Sequence, residues 1–254
     1  MANEAVRHGF DGAADAYAHS RPAYPDEAVA MLLRSFGLTP GAHVVDLGAG
    51  TGIFSHHLAA QGLTITAVEP SAEMRAKIIA SDHVTTHAGQ AESTGLPDRS
   101  ADAVVAATAW HWFDAERAIK EVRRILKPGA GGLGLLWNLY DESVAWVAEY
   151  ADISYRRRPA NSPSARDGDW RAFFDGLSGW EPLQEARFDN PQDTTPDRLI
   201  ERLLSSSAIA NLSTAEREDA RQEAWSVLRR HGLAARAQVV LPYVTTLHWT
   251  KPSG

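Results

Sequence analysis

The residues with the clearest chemical potential stand at the end of a short apolar run. Gly48, Gly50 and Gly52 follow the sequence AHVVDL, and Asp46 lies just before them. Glycines after a buried strand let the backbone turn sharply and let a ligand approach the N-terminus of the next helix. Ile53 stands where the dinucleotide-binding pattern requires its third glycine, and no Gly-Lys-Ser/Thr of a phosphate-binding loop follows.

An acidic residue extends this candidate site. Glu69 ends the next β-branched run, LTITAVE. An acid at that place lies beside the glycine loop and can accept hydrogen bonds from both hydroxyls of a ribose. A ligand with a ribose but without a required phosphate site therefore fits better than NAD. We expect Asp46 to orient the loop or to contact an amino group of the ligand, and a packing turn with a surface glutamate is the structural alternative.

A second group of chemically interesting residues is Trp110, His111 and Trp112, which follow the apolar run ADAVVAATA. Ligands of open parallel sheets bind beyond the carboxyl ends of the strands, so we expect these side chains near the ligand. Tryptophans can form flat walls for a planar substrate and favour a nearby cation. Alternate side chains point in different directions, so only some of the three are expected to face the ligand.

The elements that must position these residues alternate between strands and helices. Short apolar or β-branched runs predict five strands, at 42–48, 63–70, 84–90, 101–110 and 131–138. Helical segments between them imply βαβ crossovers and a parallel sheet with helices on both faces. Two later strands are predicted at 180–189 and 238–250, where Pro242 indicates a bulge or a hairpin edge.

Composition excludes several classes of protein. The 254 residues carry a formal charge of −7, which argues against a general nucleic-acid binder, and no cysteine is present for disulfides, thiolate catalysis or cysteine-bound zinc. His56 and His57 point to different helix faces and lack a third ligand, so no metal is expected. No apolar run of about 18 residues is present, which predicts a cytoplasmic protein without membrane contact.

Four motifs carry a resemblance to a known family. VVDLGAGTG, VEPSAEM, GQAESTGLP and EVRRILKPGAGG resemble motifs of class I S-adenosylmethionine-dependent methyltransferases of the type 11 group. FDGAADAYAHSRPAYP and TAWHWF are similar to the small-molecule branch that includes trans-aconitate methyltransferase-like proteins. The match covers residues 8–138. It implies a Rossmann-like, doubly wound and mostly parallel seven-stranded sheet, with helical additions over the active site.

The resemblance also implies an organisation of the chain. It predicts a single methyltransferase domain over residues 1–254, beginning with a cofactor-covering segment at 1–36 and a cofactor-binding core at 37–138. A helical substrate cap is expected at 139–179 and 190–235, with final strands at 180–189 and 236–254. The expected assembly is a monomer or a homodimer.

The cofactor contacts are carried over from the family residue by residue. The methionine portion and ribose would lie on the loop of Gly48, Ala49, Gly50 and Gly52, with Glu69 on the ribose hydroxyls and Pro70, Ser71 and Met74 beside the adenine. The family's third-strand motif is usually Gly-Asp-Ala-Glu, and in this chain it is Gly89-Gln90-Ala91-Glu92. The uncharged amide oxygen of Gln90 would accept a hydrogen bond from the adenine amino group, and Ala91 would contribute a backbone contact. Asp46 and Thr108 are further predicted cofactor contacts.

The family's N-terminal segment folds over the cofactor. By position, Tyr17 would cover the site and Arg21 would bind the cofactor carboxylate, because a guanidinium matches a carboxylate bidentately. An exposed arginine in a turn is the alternative for Arg21.

The expected reaction moves a methyl group from S-adenosylmethionine to oxygen or nitrogen of a small molecule and leaves S-adenosylhomocysteine. Carboxylates and ring nitrogens need no general base, whereas phenols and alcohols do. The predicted catalytic residues are His111, Trp110 and Trp112; His111 is either a general base or a structural or substrate-orienting residue. The alternatives are a protein or tRNA methyltransferase and a non-catalytic S-adenosylmethionine-binding regulator.

Overall fold

Strands and helices alternate through the first half of the computed structural model, which describes residues 22–159 and 162–253. The strands of this half are β1 (His43–Leu47), β2 (Thr64–Val68), β3 (Val84–His87), β4 (Ala103–Ala107) and β5 (Leu133–Tyr140). Its helices are α1 (Asp26–Phe36), α2 (Ile53–Ala59), α3 (Ala72–Ala76) and α4 (Ala115–Ile125), and a 3-10 turn covers Trp110–Trp112. The predicted alternation is therefore confirmed.

The second half is mainly helical and returns to strand near its end. Its elements are α5 (Ala145–Tyr155), a 3-10 helix (Asp169–Phe174), β6 (Gln184–Asp189), β7 (Gln192–Thr194), α6 (Pro196–Leu204), α7 (Ser207–Ala210), α8 (Thr214–Arg230), β8 (Val239–Leu241) and β9 (Tyr243–Thr250). The single run predicted for 238–250 is two strands, because Pro242 stands between them and has no N–H for a ladder.

Seven of these strands form one sheet in the order β3-β2-β1-β4-β5-β9-β6. The pairs β1–β2, β1–β4, β2–β3 and β4–β5 are parallel. The predicted Rossmann-like, mostly parallel sheet of seven strands is therefore confirmed. Chain order reverses at β1, which lies between β2 and β4, and ligands of such sheets bind outside the carboxyl ends of the strands at that point.

One face of the sheet is covered by α1 and α2. Alternate residues of the strands point to this face, since side chains of a strand alternate between the two faces of a sheet. They form a buried apolar cluster with the helices, including Val44, Ile65, Val105, Leu32 and Leu58. This packing fixes the strand ends, and with them the loops that follow β1, β2 and β4.

The described residues fall into two compact units. One contains the described residues of Ala23–Asn138, Pro163–Phe188 and Thr245–Gly254, and the other contains those of Met1–Pro22, Leu139–Ser162 and Asp189–Val244. The prediction of a single domain with the boundaries given above stays a prediction. Within the described part of the chain, no helix combines the length and apolar character needed to cross a membrane.

Candidate functional site

The loop after β1 is attached to the end of β2. The backbone N–H groups of Gly48 and Ala49 both donate to the carbonyl oxygen of Val68, at 2.9 and 3.2 Å. Gly48 has φ of 67°, and a Cβ there would lie 2.8 Å from the Cβ of Ala109. Glycine is therefore required where this loop passes the chain that follows β4.

Gly50 differs from Gly48 in its surroundings. Its φ is 58°, which again favours glycine, but a Cβ at this position would meet no atom of residues 22–159 or 162–253 within 4 Å. No atom of the described residues therefore fills the space beside the backbone of Gly50. The close approach of a ligand to the main chain at Gly50 stays a prediction of the sequence pattern.

Glu69 lies directly against this loop. The side chain is buried, with one carboxylate oxygen accepting from Gly50 N and the other from Ser71 N, each at 2.9 Å. Arg75 donates to the carbonyl oxygen of Glu69 at 2.6 Å and holds the backbone after β2. The structure therefore places an oriented carboxylate beside the glycine loop, and Arg75 is a supporting residue that no motif of the sequence indicates.

Asp46, at the end of β1, is almost completely buried at 1% exposure. Its Oδ2 accepts from the Ser55 hydroxyl at 2.6 Å, and its Oδ1 has no hydrogen-bond partner within the described chain. Burial raises the pKa of Asp46 to about 7, the charge of Glu69 adds to this rise, and the Ser55 hydrogen bond opposes it. Buried polar atoms are normally paired, and the contact of Asp46 with an amino group of the ligand stays a prediction.

The residues predicted beside the adenine follow β2 and β3. Glu69 N donates to the carbonyl of His87 at 3.0 Å, so the ends of these two strands are adjacent. Met74 is buried in α3, whereas Pro70 is exposed. Gln90 is also exposed, in a turn closed by backbone hydrogen bonds with Ser93, and Ala91 is buried. The structure thus keeps these positions at the predicted edge of the sheet.

Thr108 occupies an unusual backbone conformation just after β4. Its φ is +55°, which is rare for a β-branched residue, and such strain is concentrated at functional sites. Its N–H donates to Leu136 O at 2.7 Å, and its hydroxyl lies 3.0 Å from that of Tyr24. Thr108 is therefore held in place on both sides, directly before Ala109 and its contact with the glycine loop.

The three predicted catalytic residues have different surroundings. Trp110 is 1% exposed and packs against Phe113 and Phe174, with ring centroids 5.8 and 5.5 Å away. Trp112 is half-buried, with its ring 4.9 Å from that of His111. Trp110 is therefore mainly part of a buried aromatic cluster with Phe113 and Phe174. Trp112 and His111 are partly accessible to solvent.

His111 is hydrogen-bonded to the fifth strand. Its Nδ1 lies 3.1 Å from Nε1 of Trp137, which is 1% exposed in β5. Burial lowers the pKa of His111 to about 4, so the imidazole is neutral at pH 7. This pair is not evident from the sequence. An aromatic residue near the carboxyl end of the neighbouring strand was the only signal for it.

Tyr17 and Arg21 lie outside the described residues. The described chain begins close to the site: Asn138, in β5, donates to Ala23 O at 3.4 Å, and the Tyr24 ring lies 4.8 Å from that of Phe54. The segment that follows Arg21 therefore passes the carboxyl ends of β4 and β5.

Two other conspicuous groups have structural roles. The ring nitrogens of His56 lie 2.6 Å from Gly52 O and 2.9 Å from Ile79 O, and His57 contacts Asp26 at 2.8 Å. Arg156 and Arg157 form ion pairs with acidic residues of α8, and Arg158 lies over the Tyr155 ring. No group of three metal-ligating side chains occurs in residues 22–159 and 162–253.

Comparison with known proteins gives consistent matches. A family model described as a methyltransferase domain matches residues 45–132. An uncharacterized methyltransferase of Mycobacterium tuberculosis is 36% identical over 241 residues, covering 93% of this chain and 92% of the relative.

Solved structures share the fold. A proposed type II methyltransferase from Anaeromyxobacter dehalogenans has a TM-score of 0.69 at 25% identity, covering 91% of this chain and 97% of that one. A phosphoethanolamine N-methyltransferase of Haemonchus contortus, solved with S-adenosylhomocysteine, has a TM-score of 0.50 at 17% identity, covering 91% of this chain and 54% of that one.

Proposed function

The chain belongs to the class I S-adenosylmethionine-dependent methyltransferases, and on that premise we propose that it transfers a methyl group from S-adenosylmethionine to oxygen or nitrogen of a small molecule. The proposed acceptor is a carboxylate or an aromatic secondary metabolite. The cofactor, the acceptor and the residues that bind them are parts of this proposal.

The observation that carries the proposal is the carboxylate of Glu69 beside the open backbone of Gly50. Two backbone N–H groups, at 2.9 Å each, fix its orientation, and a carboxylate has about four acceptor positions. It is therefore suited to bind the two hydroxyls of a ribose. The open space at Gly50 and the unpaired Oδ1 of Asp46 also fit a ligand with a ribose and an amino group.

The residues of the site would hold and align the reactants. When bound, the cofactor supplies an electrophilic methyl group on a sulfonium. Glu69 would hold the ribose and Asp46 the amino group, while Gly50 would let the main chain come close. Positioning alone supplies much of the rate in such in-line displacements, because two reactants become one oriented complex.

A small acceptor is supported by the side chains next to the glycine loop and by the charge of the chain. Trp112 and His111 are half-buried at the carboxyl end of β4 and offer flat ring surfaces of the kind that bind planar molecules. The formal charge of −7 disfavours a polyanionic substrate such as tRNA.

Calorimetry with S-adenosylhomocysteine tests the proposed cofactor. We expect the wild-type chain to bind it and Glu69→Gln to bind at least about tenfold more weakly, because hydrogen bonds to a charged group contribute about 1.5–3 kcal/mol. Asp102→Asn is the matched control. Asp102 also accepts a backbone N–H, that of His43 at 2.8 Å, but it precedes β4 at the opposite edge of the sheet.

Absence of binding by the folded wild-type chain at high micromolar concentration would refute the cofactor assignment. Equal weakening by Glu69→Gln and Asp102→Asn would refute the role of Glu69. Circular dichroism of both variants distinguishes a loss of fold from a loss of contact.

A further inference from the structure

The hydrogen bond between Trp137 and His111 determines which ring nitrogen of the histidine carries a proton. An indole N–H can only donate, so Nδ1 of His111, 3.1 Å away, must accept and therefore holds no proton. In a neutral imidazole the proton then lies on Nε2. His111 thus presents an N–H donor at Nε2, and its one lone pair in the ring plane is occupied.

The indole that fixes this tautomer is itself held by packing. The ring of Trp137 lies 4.2 Å from that of Trp170 and 5.8 Å from that of His248. Rotation of the buried indole would break these contacts, so the direction of its N–H is constant. An imidazolium would oppose two N–H groups at 3.1 Å, and the burial that lowers the pKa of His111 also favours the neutral ring.

His111 lies in the part of the chain that contacts the glycine loop. Ala109 and Phe113, on either side of it, are the residues that a Cβ at Gly48 would touch, at 2.8 and 3.2 Å. His111 is half-buried, and its Nε2 has no hydrogen-bond partner within the described ranges. A donor with no partner among the described residues therefore belongs to the segment that contacts the glycine loop.

Resting on the proposed methyl transfer, we propose that His111 is a fixed hydrogen-bond donor that orients a carboxylate acceptor and is not a general base. Trp137 is the positioning residue that fixes its tautomer. A carboxylate has acceptor positions on two oxygens, so one can accept from Nε2 while the other attacks. A phenol or alcohol would require a base, and the lone pair of His111 is already engaged.

The resulting step needs no proton transfer. The carboxylate oxygen forms a new bond to the methyl carbon while the carbon–sulfur bond breaks. The electron pair of the broken bond stays on sulfur and neutralises the sulfonium, and the negative charge of the carboxylate disappears in the ester. A donor at Nε2 holds the acceptor in line without having to accept a proton.

Nitrogen-15 NMR of the histidine-labelled full chain tests the tautomer. We expect a protonated Nε2 and an unprotonated Nδ1 for His111 at pH 7, with the signals assigned by their loss in His111→Gln. Trp137→Phe should lower the ratio of the two tautomers about fivefold, the change that corresponds to one neutral hydrogen bond. If that variant does not fold, the wild-type spectrum alone still decides.

A pair of probes of similar size tests the acceptor class. With S-adenosylhomocysteine present, we expect benzoate to shift the Nε2 signal of His111 and benzylamine, a cationic donor, to leave it unchanged. A proton on Nδ1, an imidazolium at pH 7, a shift with benzylamine or no shift with benzoate would overturn the proposal. The tautomer measurement needs no cofactor, so a proton on Nδ1 overturns this proposal whether or not S-adenosylhomocysteine binds.

Discussion

At the scale of single residues, the buried carboxyl of Asp46 makes the fold sensitive to pH. Its pKa is raised to about 7, mainly by burial, whereas an unfolded aspartate titrates near 4. Between these values the folded chain binds more protons than the unfolded chain. The contribution of Asp46 to the free energy of unfolding is therefore complete below about pH 4 and is lost as the pH rises through about 7.

Asp46→Asn should remove this dependence. We expect the melting temperature of the wild type to fall by about 5 °C or more between pH 5 and pH 8 relative to that of the variant. Thermal unfolding by circular dichroism across this range measures the difference.

Asp102→Asn is a control because the pKa of Asp102 is shifted in the opposite direction to that of Asp46. Burial would raise the pKa of Asp102, but hydrogen bonds from Lys127 and His43 outweigh it and lower the pKa. The contribution of Asp102 to the free energy of unfolding is present above the unfolded pKa and is lost as the pH falls. Asp102→Asn should therefore reduce the fall in melting temperature at acid pH. If the melting temperatures of Asp46→Asn and wild type changed in parallel with pH, this would contradict the titration assigned to Asp46.

At the scale of elements, the loop between β1 and α2 can be separated into a folding requirement and a binding requirement. Gly50→Ala places a methyl group in space that no atom of the described residues occupies, at a φ of 58°. We expect a loss of about 1 kcal/mol in stability from the left-handed backbone, and at least a tenfold loss of affinity for S-adenosylhomocysteine.

Gly37→Ala is the matched control for this variant. Gly37 follows α1 at a φ of 65°, and a Cβ there would also meet no described atom within 4 Å. Its substitution should cost similar stability and leave affinity unchanged in calorimetry. An equal loss of affinity in both variants would show that the effect comes from stability and not from the ligand space.

Prediction from sequence succeeded where the signal was local. The strands β1 and β2 are buried apolar runs of a parallel sheet, and the glycine loop and Glu69 are defined by short spacings along the chain. The end of β4 was placed at residue 110 instead of 107, because the left-handed backbone of Thr108 is not encoded in hydrophobicity. The His111–Trp137 hydrogen bond depends on the pairing of β4 with β5, so neither segment alone reveals it.

At the scale of the whole molecule, the charge distinguishes a small acceptor from a nucleic acid. A binder of tRNA or duplex DNA neutralises phosphates with basic residues and loses affinity steeply as salt rises. This chain carries −7, and Arg156 and Arg157 are engaged in ion pairs. We expect no retardation of tRNA or of a DNA duplex in electrophoresis at about 100 mM salt.

Salt-sensitive retardation of tRNA would contradict the small-molecule proposal and would favour a tRNA methyltransferase. A basic protein of similar size, assayed in the same gel, serves as the positive control. Calorimetric binding of S-adenosylhomocysteine is independent of this result.

The stacked indoles of Trp137 and Trp170, 4.2 Å apart and inclined by 30°, have an optical consequence. Transitions of two rings at that separation couple, so the pair contributes its own bands to the ultraviolet circular dichroism. Since Trp137 also donates to His111, any molecule that moves the imidazole disturbs the coupled pair. The pair would therefore report, without a label, when the proposed acceptor site beside His111 is occupied.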